Sequence, residues 1–296
     1  MVLALTQLGL AMVMVGANVV LGKVLAETLP VPLVLFLRCS LAFLLLLPFT
    51  RRPLSWPGGR AAGNLLLQAG LGTLGYNMAL LAGLRLTGAL EAGLVLATMP
   101  AVVAIGAALF LHERLRPRRW LAVALAALGM AALTLGRGAA SGGSWLGNAL
   151  VFAAVCGEAS YMLLSKSNAE RIGVMRAAMW MQGFSALLLA PVALGTLPEH
   201  GAALADWRLA GWLAVHSVTA SVLSVVLWYA GMRCAPANLA GIFTILLPAT
   251  AAALAVLALG EAFTAPLAAG FALMLGSILL ATWPSRTKPV PSPGSA

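Results

Sequence analysis

The sequence predicts an all-α integral membrane protein of ten transmembrane helices, arranged as two inverted five-helix repeats with both termini cytoplasmic. Three observations predict it: an extreme composition, ten long apolar runs, and a repeat within the chain. Of 296 residues, 61% are apolar and only 9% charged, and the mean hydropathy is +0.99. An average soluble domain is about 45 to 50% apolar and about 25% charged, so a soluble globule is excluded. A helix crossing the hydrocarbon core needs about 20 apolar residues, so ten of them use about 200 positions and leave no room for a separate soluble domain.

The apolar runs fall near 3–26, 31–50, 61–82, 88–111, 118–136, 145–166, 175–197, 209–230, 236–259 and 264–283. Their length argues for helices, because barrel strands would show segments of about ten residues alternating in polarity. Loop chemistry punctuates them: Pro30 and Pro32, the stretch from Arg51 to Arg60, Gly138 to Gly143, and Pro198 to Gly201. The first run lacks a preceding cationic stretch and carries Lys23 at its far end, the reverse of a cleavable signal, and is expected to be a retained helix. The expected organisation is a first repeat over 1–136, a linker at 137–144, a second repeat over 145–283, and a Pro/Ser-rich cytoplasmic tail at 284–296, expected to be disordered.

Charge sets the orientation. The net charge of +10 and pI near 10.8 would, in a soluble protein, point to nucleic acid. With the N-terminus cytoplasmic, however, thirteen of the eighteen basic residues fall in inner loops or the tail: Arg51, Arg52, Arg60, Arg114, Arg116, Arg118, Arg119, Lys166, Arg171, Arg176, Arg233, Arg286 and Lys288. Only Arg85, Arg137 and Arg208 lie outside, while Lys23 and Arg38 sit within spans. The excess is thus a topology signal of the positive-inside kind.

Shifting the chain by 148 residues against itself aligns Ala82-Gly83-Leu84-Arg85 with Ala230-Gly231-Met232-Arg233, Pro100 with Pro248 and Glu113 with Glu261. Residues 82–113 and 230–261 share thirteen identities in 32 ungapped positions. Five spans per copy is an odd number, so the second copy must sit upside down, the architecture in which many secondary transporters enclose a midplane site.

At these residues the chain resembles a known family. Tyr76-Asn77 through Gly83-Leu84-Arg85 to Pro100 and Leu111-His112-Glu113-Arg114-Leu115, repeated as Trp228-Tyr229 to Pro248 and Leu259-Gly260-Glu261, look like the EamA-type branch of the drug/metabolite transporter superfamily. The resemblance covers nearly the whole chain and is closest to bacterial inner-membrane exporters of amino acids, in particular aromatic ones. It implies ten helices in two inverted repeats and a secondary transporter of small metabolites, without naming the substrate. Asn18 stands where many relatives carry a Trp-Gly pattern.

Polar groups at membrane depth are costly and usually face an interior or a cavity. Glu158 lies thirteen residues into span six, with Tyr161, Met162 and Ser165 on the same face. That face fits a solute path or a helix seam. Arg38 sits inside span two, where Glu91 or Glu158 is the expected counter-charge, and a carboxylate solute is the alternative. His216 in span eight suits proton coupling or a structural hydrogen bond. The candidate lining residues are Asn18, Tyr76, Asn77, Glu158, Tyr161, Trp180, Gln182, His216 and Trp228; the candidates for charge or proton coupling are Arg38, Glu91, Glu158 and His216. Trp228, Tyr229, Trp145, Trp207, Trp212 and Trp283 lie near span ends, where an aromatic belt is expected. Lys23 is expected to snorkel outward. Glu113 and Glu261 close spans four and nine as helix-end residues, Glu113 pairing with the adjoining basic loop, and Pro100 and Pro248 permit kinks.

Gly70 to Gly75 matches the dinucleotide fingerprint, but within an apolar span and without a preceding strand it is expected to serve close helix packing. No phosphate-binding loop, metal-type cluster or nucleophile–base pair is present in the sequence, so neither cofactor nor metal is expected, and an intramembrane lipid enzyme is disfavoured. Cys39, Cys156 and Cys234 are expected as core thiols. The expected partners are a small-molecule solute and the lipid bilayer, with no nucleic acid; oligomeric state is left open, a monomer being compatible with the pattern. A cationic drug or a sugar phosphate is the alternative cargo, the latter requiring basic groups at the midplane.

Overall fold

The computed structural model describes residues 1–26, 28–50, 56–87, 92, 95–96, 98–113, 115–135, 144–259 and 265–283, and among these every regular element is helical. Helix α1 covers Val2–Ala26 and α2 Val31–Leu46, the latter closing in a 3-10 turn over Leu47–Phe49. Helix α3 runs as Gly59–Leu67, widens to a π-helix over Gln68–Gly75, and resumes as Tyr76–Leu86. Then come α4 (Met99–Phe110), α5 (Pro117–Leu135), α6 (Trp145–Arg171) and α7 (Val174–His200). Helix α8 again has three parts, Trp207–His216, a π-helix over Ser217–Leu223, and Ser224–Cys234. The chain closes with α9 (Ala237–Phe243), α10 (Leu246–Leu259) and α11 (Ala265–Thr282).

Among the described residues, five helical stretches are long and apolar enough to cross a membrane: Val31–Phe49, Gly59–Gly83, Trp145–Asn168, Val174–His200 and Trp207–Cys234. Local chemistry sets several starts. Pro32 occupies the first turn of α2, where its missing N–H costs nothing. Ser144 Oγ accepts from Gly147 N at 3.0 Å to open α6, and Asp206 Oδ1 accepts from Arg208 N at 2.9 Å to open α8. Arg60, Arg116, Arg118, Arg119, Arg171, Arg176 and Arg233 all lie at helix ends on one side of the bundle, the basic end. There Arg118 Nε donates to Leu280 O at 2.7 Å, tying the start of α5 to the end of α11.

The helix pairs repeat under exchange of the two halves. Helix α3 packs on α6 as α8 packs on α1; α4 packs on α6 as α10 packs on α1; α2 pairs with α7 and α5 with α11. The repeated glycines explain how the closest pairs form. A Cβ on Gly83 would lie 2.9 Å from Gly147 O and 2.7 Å from the Val151 side chain, and one on Gly231 would lie 2.9 Å from Ala4 O and 2.6 Å from Leu8. Gly83 and Gly231 are 148 residues apart, while Gly147 and Ala4, like Val151 and Leu8, are 143 apart. Small residues thus let both helix pairs approach at equivalent points.

The kinks expected at Pro100 and Pro248 are full interruptions. Span nine breaks between α9 and α10 at Thr244 and Ile245, where Leu247 N turns back to Thr244 O at 3.1 Å. Thr98 forms a turn just ahead of Pro100, and its carbonyl accepts from Ala101 N and Val102 N, both at 3.0 Å. Pro100 and Pro248 thus sit in the first turns of the restarted helices, Met99–Phe110 and Leu246–Leu259, where a proline's missing N–H is tolerated.

Trp145, Trp207, Trp212 and Trp283 are exposed, as an aromatic belt requires, but the belt is overturned for Trp228 and Tyr229, which are buried. Each has a polar partner inside: Trp228 Nε1 donates to Ser165 Oγ at 3.0 Å, and Tyr229 Oη donates to Gln68 Oε1 at 2.6 Å. Cys39 is the buried thiol that was expected; Cys156 is partly buried, and Cys234, at the end of α8, is exposed rather than in the core. The linker at 137–144 lies outside the described residues except Ser144, as do the tail, Glu91, Arg114 and Glu261. Nothing is described of the Lys23 side chain either.

Candidate functional site

A cavity of about 660 Å³ lies between the two halves of the bundle. Many of its lining positions recur in both halves. Under the 143-residue offset that relates α1–α2 to α6–α7, the lining pairs are Val15 with Glu158, Asn18 with Tyr161, Arg38 with Met181, and Cys39 with Gln182. Under the 148-residue offset that relates the later helices, Thr73 pairs with Ser221, Tyr76 with Ser224, Asn77 with Val225, Leu96 with Thr244, and Met99 with Leu247. The cavity therefore sits on the internal two-fold, and its wall includes both π-helical segments and both helix interruptions. Widened turns of this kind recur at functional sites, because they leave backbone and side chains aimed differently from a regular helix.

The scaffold is symmetric, but the chemistry is not. The position equivalent to Glu158 holds Val15, that equivalent to Arg38 holds Met181, and those equivalent to Tyr76 and Asn77 hold Ser224 and Val225. Among the described residues neither Glu158 nor Arg38 has an ion-pair partner. Glu158 stands within electrostatic reach of the hydroxyls of Tyr76 and Tyr161. Tyr161 rests on the π-helix of α3, where a Cβ on Gly72 would come within 2.5 Å of the tyrosine. The Gly70–Gly75 stretch thus serves close packing, as expected. Arg38 stands within electrostatic reach of His216, and its Nε is buried with no hydrogen-bond partner.

Asn18 is the hub of the other half. Its Nδ2 donates to Met14 O at 2.8 Å, which leaves Oδ1 to accept from His216 Nδ1 at 3.0 Å and from Thr219 Oγ1 at 2.8 Å. Elsewhere Thr73 Oγ1 and Ser185 Oγ share a hydrogen bond at 3.2 Å, and Gln182 Nε2 donates to Ser221 O at 2.8 Å. Asn77 Nδ2 donates back to Thr73 O at 2.6 Å.

Of the residues singled out from the sequence, Asn18, Arg38, Tyr76, Asn77, Glu158, Tyr161, Gln182, His216 and Trp228 all line this one cavity. Trp180 does not: it packs with Trp56, Phe184 and Phe43, ring centroids 5.6 to 6.3 Å away, on the side of α7 turned from the cavity. Glu91 lies outside the described residues. Met162, expected on the Glu158 face, lines the cavity too, but sequence reading missed the other four methionines of the wall (Met12, Met99, Met130 and Met181) along with Thr73, Ser221, Ser224 and Thr244. The two offsets would have found Ser224 from Tyr76, and Ser221 once Thr73 was known.

The cavity reaches from the bundle's centre along Gly22 and Val31, away from the basic end. Toward the basic end it is stopped by a buried apolar cluster that includes Leu8, Val103, Met162, Trp228, Met232 and Phe243. Beyond that plug, Glu113 follows α4 and crosses to the other half: its carboxylate accepts from Ala237 N at 2.7 Å, Asn238 N at 3.1 Å and Asn238 Nδ2, capping the start of α9. Its hydrogen bonds thus go to the second half rather than to the adjoining basic loop, from which Arg119 stands within electrostatic reach. Lys166 Nζ adds a bond to Ala235 O at 2.7 Å.

Three comparisons place this architecture among known proteins. A profile described as "EamA-like transporter family" matches twice, over residues 3–135 and 145–283. A relative named "Uncharacterized transporter YetK", from Bacillus subtilis (strain 168), is 30% identical over 286 residues, covering 94% of this chain and 86% of its own length. A crystal structure titled "Crystal structure of protein" superposes with a TM-score of 0.76 at 20% identity, over 94% of this chain and 96% of that one, a likeness of fold alone. The doubled profile falls on the two halves that share the cavity, and the chain belongs to the EamA-like transporter family: it is a multi-pass membrane transporter rather than an enzyme.

Proposed function

We propose that this transporter exports small metabolites, foremost amino acids with aromatic or other apolar side chains, across the bacterial inner membrane by alternating access. The observation that carries this reading is the cavity on the internal two-fold, with an apolar, methionine-rich wall and a few convergent polar groups. Such a wall suits an apolar side chain better than a phosphate, for which a single cavity arginine is a thin complement. The basic end faces the cytoplasm, ten spans form the bundle, and the two repeats, 1–136 and 145–283, rock against each other. In this orientation the cavity faces outward, and opening of the opposite pathway requires the plug around Trp228 and the Glu113 cap to part. The helix interruptions before Pro100 and Pro248 are the bending points.

Glu158, alone among the described cavity residues in carrying a carboxylate, is the group placed to couple solute movement to protons, with His216 as the second titratable candidate in the same wall. Uptake counterflow in liposomes with a panel of labelled amino acids, run with and without a pH gradient, tests the reading. Saturable exchange of phenylalanine or leucine is expected, and Glu158→Gln is expected to remove the dependence on the gradient. Absence of both exchange and binding for every amino acid in the panel ends the amino acid assignment.

A further inference from the structure

The two charged groups of the cavity wall are not equivalent, and the surroundings of Arg38 define a subsite of their own. Arg38 lies in the second turn of α2, inside a membrane span. A guanidinium at that depth is costly unless an anion or several acceptors surround it. Among the described residues no carboxylate pairs with Arg38, and Nε has no acceptor at all. With Cys39 as its hydrogen-bonding neighbour and no carboxylate beside it among the described residues, the guanidinium has donor capacity for an anion on the wall of a cavity large enough to admit one. A planar fork of donors matches a carboxylate in a bidentate fashion, which an ammonium does not.

His216 adds the complementary half. Asn18 Oδ1 can only accept, and Asn18 Nδ2 is fixed by Met14 O, so the His216 Nδ1 facing that oxygen must carry the hydrogen. In the neutral ring this leaves Nε2, which has no protein partner among the described residues, as an acceptor. Arg38 and His216 are within electrostatic reach of each other on the same cavity wall. A cationic donor fork beside a lone acceptor is the pattern that reads a carboxylate next to an ammonium.

Building on the amino acid reading above, we infer that Arg38 and His216 form the head-group subsite of the cavity, Arg38 holding the α-carboxylate of an amino acid and His216 Nε2 accepting from its ammonium. The side chain then projects into the remainder of the cavity, where Met12, Met99, Met162 and Met181 offer flexible, polarisable contact. Methionine surfaces of this kind accommodate varied apolar shapes. Selectivity resides in the head group, and tolerance in the methionine wall.

The test is equilibrium binding to the purified full-length chain, using L-phenylalanine, phenethylamine, which lacks the carboxylate, and 3-phenylpropionate, which lacks the amine. Wild type is expected to bind phenylalanine more tightly than either analogue. Arg38→Gln is expected to weaken phenylalanine and 3-phenylpropionate by about tenfold or more, the scale of a lost charge-assisted pair, and to leave phenethylamine unchanged. Arg38→Lys keeps the charge without the fork and should recover part of the loss. His216→Phe is expected to weaken phenylalanine and phenethylamine while sparing 3-phenylpropionate. Should Arg38→Gln fail to fold, wild-type selectivity decides alone: phenethylamine bound as tightly as phenylalanine overturns the assignment. So does an Arg38→Gln protein of reduced thermal stability whose ratio of phenylalanine to phenethylamine binding is unaltered, which makes Arg38 a structural residue. In either case phenylalanine counterflow persists and the proposed function stands. A wild-type protein that neither binds nor exchanges any amino acid removes both.

Discussion

At the residue scale, the cavity is a symmetric frame carrying unsymmetric chemistry. Glycine and alanine recur at equivalent positions because backbone approach leaves no choice there, whereas Glu158 and Arg38 have apolar counterparts, Val15 and Met181. Substitution at the frame and at the chemistry should therefore separate. Gly72→Ala puts a methyl group within 2.5 Å of Tyr161, and overpacking of that kind costs about 1 to 3 kcal/mol. A lowered thermal unfolding temperature in detergent is the expected outcome, and an unchanged one means that α3 and α6 pack more loosely than described. Glu158, Arg38, His216 and Asn18 were legible in the sequence because charge and amide groups are rare in so apolar a chain. Met162 was placed by its spacing from Glu158; Thr73, Ser221 and the other methionines were not, because hydroxyls and methionines in a membrane span carry no signal of which way they face. Trp180 shows the same limit: its indole group marks a polar atom at depth, but only the rotation of α7 decides that it joins Trp56 and Phe184 instead of the cavity.

At the element scale, apolar run length located most of the helices to within a few residues, since burying unsatisfied backbone in lipid allows little else. The π-helices over Gln68–Gly75 and Ser217–Leu223 escaped notice, although 68–75 and 216–223 are 148 residues apart. Those two segments share no identity at equivalent positions, so the widening is kept by packing against α6 and α1 rather than by a shared motif. Glu113 is the element-scale device that closes the basic end. Its carboxylate meets two backbone N–H groups of α9, and leaving such donors unmet costs about 1 to 3 kcal/mol. Glu113→Ala is thus expected to speed amide hydrogen exchange at Ala237 and Asn238 while leaving exchange in α6 and α7 unchanged. Equal protection in the variant would show that the apolar plug alone holds that end shut.

At the scale of the whole molecule, the inverted repeat was readable from Arg85 with Arg233, Pro100 with Pro248 and Glu113 with Glu261. The sequence could not show that the repeat's axis passes through a cavity, because that depends on how α1, α3, α6 and α8 cross. The structure has the cavity closed at the basic end and extending toward the other, one of the two states that exchange of the halves would interconvert. Accessibility of a single cysteine tests this most directly. Val15, half-buried in the cavity wall, is changed to cysteine in a chain carrying Cys39→Ala, Cys156→Ala and Cys234→Ala, and a membrane-impermeant maleimide is applied to right-side-out and inside-out vesicles. Modification is expected from both faces, faster from the outside, and slowed from either side by saturating phenylalanine; labelling from one face only under every condition, with phenylalanine making no difference, would contradict alternating access through this cavity.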